Sequence, residues 1–172
     1  MSLDSTIGII ANIALALSFI VALIFGMAQI RTAERDRKER FTLETLRSFS
    51  TREFAEQLFF IRGAELPPTQ DEFFAMPKEE QVMLIQIAQQ MESLGMMVYE
   101  RYIDLDLVDK TLGSFVSTVW VKYKPMFTDM RATMPDPYLG EYFQWLAERI
   151  DKRMADEPRA PFYKVQPRRH KK

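Results

Sequence analysis

The longest apolar run of the chain lies near its beginning, over residues 7–30. It contains 24 residues without a charge, and its polar side chains are Asn12, Ser18 and Gln29. At 1.5 Å per residue, a helix of this length extends roughly 36 Å, which exceeds a hydrocarbon core of about 30 Å. The pattern therefore predicts a transmembrane helix, and we interpret residues 1–30 as a membrane anchor.

The residues that flank this run distinguish an anchor from a secretory signal and predict its orientation. A signal begins with basic residues and ends at a cleavage site of small residues, whereas this run follows Asp4 and leads directly into Arg31. Residues 31–40 hold five basic and three acidic side chains, and basic residues beside a span stay in the cytoplasm. We expect a retained single-pass anchor in a bacterial inner membrane, with its N-terminus outside and the rest of the chain cytoplasmic.

Small side chains recur on one face of the predicted span. Ala14, Ser18, Ala22 and Gly26 follow one another at intervals of four residues, the spacing that lets helix backbones approach closely in lipid. Asn12 could form a hydrogen bond across such a contact. These five residues are the predicted oligomerisation face of a homo-oligomer. Small residues also occur in membrane helices that do not associate, so a monomeric anchor stays open as the alternative.

The apolar positions keep a helical period after the span, so the chain is predicted to be all-α. Residues 31–49 alternate in charge and predict a stalk that continues the membrane helix. Residues 50–155 predict a small cytoplasmic helical bundle of four helices, with a loop over residues 63–77 and a kink at Pro125. The predicted helix-start residues are the capping box Ser50 and Glu53, then Pro77, then Asp104, and last Asp136 followed by Pro137.

The net charge of −1 is an average over segments of opposite sign. The body, residues 41–155, has 12 basic and 18 acidic side chains, whereas the flexible tail, residues 156–172, has six basic and two acidic ones. An acidic body argues against specific nucleic-acid binding. Three interpretations of the tail stay open: contact with anionic lipid, contact with nucleic acid by charge alone, and a solubilising end without a partner. The lipid-facing bases would be Arg168, Arg169, Lys171 and Lys172.

Residue types typical of enzymes and metal sites are scarce. The chain has no cysteine and a single histidine, His170, so we expect no histidine-activated nucleophile, no zinc site and no cofactor. An acidic string lacks the glycine turn and terminal glutamate of an EF-hand loop, and helix capping explains two of its members without a metal. The string consists of Glu100, Asp104, Asp106 and Asp109.

Three arginines are candidates for an anion or ligand site, provided that the fold brings them together. They are Arg62, Arg101 and Arg131. The aromatic stripe over residues 120–127 could line such a pocket, but aromatic side chains at helical spacing are more typical of a core.

A set of residues in the second half of the chain carries a resemblance to a known family. The set consists of Glu92, Leu94, Gly95, Asp104, Trp120, Pro125 and Arg131. With these the chain resembles a bacterial family of small single-pass membrane proteins that have a helical cytoplasmic domain of unknown function. The resemblance covers most of the chain. It implies a topology and a fold, and it brings no catalytic residues.

Two functional hypotheses follow from these patterns. The first is a non-enzymatic, self-associating, membrane-anchored sensor or scaffold, whose helical domain binds an unidentified cytoplasmic protein. The alternative is a membrane effector, for example in phage defence, whose cytoplasmic domain binds a signal and whose anchors cluster to perturb the membrane. A metal-dependent enzyme that uses the acidic string is a third and weaker hypothesis.

Overall fold

A single long helix begins the computed structural model of the protein, which describes residues 3–158 and 160–164. This helix, α1, runs without interruption from Leu3 to Ser48 over 46 residues. No proline or glycine occurs between residues 31 and 48, so nothing in the sequence ends the helix after the apolar run. The prediction that the apolar helix continues well beyond residue 30 is confirmed.

The chain divides into two compact units, with the boundary between Phe41 and Thr42. The boundary lies earlier than the predicted domain start at residue 50, because the last turns of α1 belong to the second unit. We call residues 42–158 the helical domain. The predicted all-α fold is confirmed: the described residues hold α-helices, one short 3-10 helix and no strand. After α1 the elements are α2 (Arg52–Gly63), α3 (Gln70–Ala75), α4 (Lys78–Tyr99), α5 (Leu105–Thr133), α6 (Glu141–Asp156) and the 3-10 helix Phe162–Lys164.

The core of the helical domain lies between α4, α5 and α6. α6 packs against both α4 and α5, while α3 packs on α5 and α2 on α4. One face of α4 is buried and carries Leu84, Ile87, Met91, Leu94 and Val98. Tyr123 of α5 is fully buried, and its hydroxyl donates a hydrogen bond of 2.8 Å to the carbonyl of Leu84. Burial raises the pKa of Tyr123 well above its usual range, so this phenol stays protonated in the folded domain.

The start of α2 differs from the prediction by one residue. Thr51, rather than Ser50, is the N-cap, and its hydroxyl accepts a hydrogen bond of 3.2 Å from the backbone N–H of Phe54. Ser50 lies in the turn that follows α1, and its backbone N–H bonds to the carbonyl of Arg47. Either hydroxyl would suit a cap; the turn that ends α1 decides which one is in position.

The predicted loop over residues 63–77 contains the short helix α3, so this prediction is wrong in part. Thr69 caps α3 by accepting from the N–H of Glu72. Phe73 is buried and Met76 packs against the core. Phe74 is exposed, because neighbouring positions on a helix point to different sides.

The start of α6 is the third correction. The helix begins at Glu141 after Gly140, rather than at Pro137 after Asp136. The carboxylate of Asp136 instead accepts a hydrogen bond of 3.0 Å from the N–H of Tyr138 in the preceding turn. Gly140 has a φ of 69°, and a Cβ there would lie 2.2 Å from the ring of Phe127. A glycine therefore fits this helix start for both conformational and steric reasons.

Candidate functional site

The apolar part of α1 has the properties of a membrane anchor. The segment Asn12–Ser48 contains the one candidate span among the described helices, with a mean hydropathy of 2.4 and none of that window buried. Its large apolar side chains between Ile13 and Ile30 are 49–68 % exposed. By length and composition the helix is able to cross a membrane, and a signal sequence would satisfy the same criterion.

The predicted oligomerisation face lies along this exposed helix. Asn12, Ala14, Ser18 and Ala22 are exposed, and Gly26 is half-buried by its own helix neighbours. A Cβ at Gly26 would meet nothing within 4 Å. No side chain of the described chain therefore covers this stripe.

The end of α1 is part of the helical domain. Thr42 is fully buried, and its hydroxyl accepts a hydrogen bond of 3.1 Å from the N–H of Asp104, just before α5. Leu46 and Phe49 pack against the apolar core. The same helix thus supplies the exposed apolar segment and a structural part of the domain.

A charged cleft of about 420 Å³ lies between the start of α5 and the end of α6. The Nη2 of Arg153 donates to Asp106 at 3.0 Å, and its Nε lies 3.6 Å from the buried carboxylate of Asp109. The hydrogen bond from Lys110 is the main reason that the pKa of Asp106 lies below its usual value; burial opposes this shift and Arg153 adds to it. Arg149 also lines the cleft, so its charges are of both signs.

These contacts account for most of the acidic string. Asp104 is the N-cap of α5, as predicted, and accepts from the N–H groups of Asp106 and Leu107. Asp106 forms ion pairs with Lys110 and Arg153, and Asp109 forms one with Arg153. Among the described residues, no group of three or more His, Cys, Asp or Glu side chains is arranged to hold a metal ion.

The fold does not bring Arg62, Arg101 and Arg131 together. Arg101 precedes α5 and Arg131 lies in its last turn; since α5 has 29 residues, they are separated by about 40 Å along the helix axis. Arg131 serves the α5–α6 connection, because it donates to the carbonyl of Leu139 at 2.8 Å and to the side chain of Gln144 at 2.6 Å. The three arginines therefore do not form one anion site within a chain.

The predicted lipid-facing bases of the tail lie outside the described residues; they are Arg168, Arg169, Lys171 and Lys172.

Sequence reasoning missed the contact that joins α4 to the start of α6. The carboxylate of Glu92 accepts hydrogen bonds from the N–H groups of Tyr142 and Phe143, at 3.2 and 2.8 Å. Three residues further along α4, a Cβ on Gly95 would lie only 2.2 Å from the carbonyl oxygen of Tyr142. A carboxylate thus replaces the side-chain cap that Gly140 lacks. The available signal was that Glu92 is the one charge between residues 81 and 99.

Lys122 is a second residue that the sequence did not single out. Its Nζ donates to the carbonyls of Ile61, Arg62 and Ala64 at 2.7, 3.2 and 2.9 Å. These carbonyls lie at the end of α2, where the helix dipole favours a cation. Lys122 therefore fixes the end of α2 onto α5.

Comparison with protein families gives the chain its class. Residues 13–150 match the domain of unknown function DUF4760, and the chain belongs to that family. The match covers most of the chain, including the apolar residues 13–30. Comparison with curated proteins and with solved structures finds no match.

Proposed function

We propose that the chain is a retained single-pass membrane protein, and that its helical domain is a non-enzymatic sensor or scaffold for a protein partner. The observation that supports the anchor best is the exposure of α1. Twelve large apolar side chains between Ile7 and Ile30 are about half exposed or more. Leaving them in water would cost roughly 20–30 kcal/mol at about 2 kcal/mol each, more than the 5–15 kcal/mol that stabilises a typical domain. Lipid is the environment that removes this cost.

A further observation favours a retained anchor over a cleaved signal. The family match begins at residue 13, inside the apolar run. In this proposal the anchor and the domain are parts of one folded chain, with the bases of residues 31–40 on the cytoplasmic side.

The absence of cysteine permits a sharp test of the anchor and of its orientation. Single variants Ser5→Cys and Ser50→Cys place one thiol on each side of the span. In spheroplasts of an expressing bacterium, a membrane-impermeant maleimide should label Ser5→Cys alone, and the chain should resist alkaline carbonate extraction at its full intact mass. Loss of the first thirty or so residues would refute the retained anchor. Labelling of Ser50→Cys alone would show that the orientation is opposite to the proposed one, with the helical domain outside.

We also propose that the anchors associate through the small-residue stripe. Ala22→Ile/Gly26→Ile adds bulk to the stripe, whereas Ile20→Phe/Ile24→Phe adds bulk to the opposite face and is the matched control. The mass of the nanodisc-reconstituted protein should fall to that of a monomer in the first variant and stay oligomeric in the second. A wild-type monomer would refute association. The effector alternative needs the same clustering, but it gains no anion site from the three arginines.

A further inference from the structure

The outward face of α4 carries a stripe of uncharged side chains. Val82, Ile85, Gln86, Gln89, Ser93 and Met96 are exposed, and at 100° per residue they fall within an arc of about 100°. The stripe lies opposite the buried side of the helix. We call these six residues the α4 stripe.

The α4 stripe differs from the exposed sides of α2 and α6. Between Gln81 and Tyr99 the one charge is Glu92, whose carboxylate is bound to the start of α6. The exposed sides of α2 and α6 carry charges of both signs, such as Arg52 beside Glu56 on α2. Loss of charge is the compositional mark of the centre of a protein interface.

A groove runs beside the stripe, between α4 and the end of α1. It has a volume of about 310 Å³, and the described atoms that line it carry no charge. The lining residues are Thr45, Ser48, Phe49, Gln86, Gln89, Gln90, Ser93 and Met97.

We infer that the α4 stripe and its groove dock a second copy of this chain, α4 against α4 about a two-fold axis. Glutamine and serine side chains both donate and accept hydrogen bonds, so the same surface is complementary to itself. A surface with net charge would instead meet its own sign in an isologous contact. This inference rests on the proposed anchor, because two copies that cross one membrane in the same direction are related by an axis along the membrane normal.

The size of the stripe explains why the anchor is needed. From Val82 to Met96 the stripe is about 21 Å long, and at a helix width of about 10 Å it offers roughly 200–300 Å², against about 800 Å² per partner in a stable interface. Contact through this surface is therefore weak between freely diffusing domains. Confinement of two copies in one bilayer raises their effective concentration and therefore the fraction of chains that are paired through this surface.

Disulfide cross-linking in the bilayer tests the inference directly. The full chain is reconstituted at low density as the single variants Gln89→Cys, in the stripe, and Lys152→Cys, on the exposed side of α6. Mild oxidation should give a cross-linked dimer with Gln89→Cys and roughly tenfold less with Lys152→Cys, the ratio that corresponds to 1.4 kcal/mol of preference. Equal cross-linking of the two variants, or none with either, would overturn the proposed contact.

A charge series distinguishes a specific contact from chance collision. In a Ser93→Cys background, Gln86→Lys/Gln89→Lys and Gln86→Glu/Gln89→Glu should each lose roughly tenfold in cross-linked dimer, because like charges then face each other. Mixing the two differently tagged proteins should restore it. Unchanged cross-linking, or a mixture no better than either parent, contradicts the inference. Cross-linking is measured only on protein recovered in the membrane fraction, so that a failure of the contact is distinguished from a failure of the anchor. Protein that stays in the bilayer but does not cross-link refutes the α4 contact and leaves the anchor standing.

Discussion

Helices α4 and α6 approach each other closely at Gly95, and this contact provides a sharp test of the fold. A Cβ at this position would lie 2.2 Å from the carbonyl oxygen and 2.6 Å from the carbonyl carbon of Tyr142. Both atoms belong to the backbone of the first turn of α6, which Glu92 holds by two hydrogen bonds. Gly95→Ala therefore cannot be accommodated by rotating a side chain, and α6 must move away from α4.

Two opposing terms set the size of the effect. Alanine in a helix interior is favoured over glycine by about 0.5–1 kcal/mol, whereas overpacking a close contact costs typically 1–3 kcal/mol and occasionally more. Because the clash is with backbone atoms, we take the upper end of that range and expect a net loss of about 2 kcal/mol. For a domain of this size, that loss lowers the Tm by roughly 8 °C.

Tryptophan fluorescence is a suitable assay, because both tryptophans, Trp120 and Trp145, lie in the helical domain and none lies in the apolar part of α1. Thermal unfolding of the nanodisc-reconstituted chain should show the loss for Gly95→Ala. Gly63→Ala is the matched control: a Cβ at Gly63 meets nothing within 4 Å, so the helix preference acts alone and stability should stay equal or rise slightly. A Gly95→Ala protein as stable as wild type would refute the close approach of α4 and α6.

Three further predictions concern polar contacts. Glu92→Gln leaves one acceptor oxygen for two N–H groups of α6 and removes a charge from its N-terminus, so urea unfolding should show a loss of about 1–2 kcal/mol; no change would mean that water caps α6. Thr51→Ala should lower the free energy of unfolding by about 1 kcal/mol, whereas Ser50→Ala should change it little. The opposite order would show that Ser50 is the N-cap of α2. Because its folded-state pKa is lowered, Asp106 stabilises the domain above the unfolded pKa of about 4, and this contribution is lost as pH falls through the folded value. Asp106→Asn should therefore have a lower free energy of unfolding than wild type at pH 6, and the two values should converge in acid. A difference in stability that does not change with pH would exclude the carboxylate charge as its cause.

The features that the sequence predicted well are those set by neighbours along the chain. The apolar run of residues 7–30 and the buried stripe of α4 follow directly from hydrophobic period and length. The cap of α5 by Asp104 was also predictable, because the acceptor and the N–H groups it binds lie within three residues. Local chemistry is sufficient for such elements.

Two of the predictions that failed depend on contacts between residues far apart in sequence. α6 begins where Glu92, from another helix, accepts its N–H groups, so Asp136 and Pro137 offered a plausible local start that the tertiary fold did not use. The three arginines shared a residue type, but the length of α5 separates two of them. Residue type and hydrophobic period describe neighbours along the chain, so they do not determine distances of this kind.

A membrane anchor and a cleaved signal differ in whether the apolar residues are present in the mature protein. A signal is removed, so its residues are absent from the mature protein. The family match includes the apolar residues from position 13, which favours their retention. Thr42 lies beyond any such cleavage site and is bonded to Asp104, so Thr42→Ala should leave the N–H of Asp104 without this acceptor and destabilise the domain by about 1–3 kcal/mol. If the mature chain begins near Arg31 instead, the domain is released from the membrane, and both the anchor and the α4 contact that depends on it are refuted.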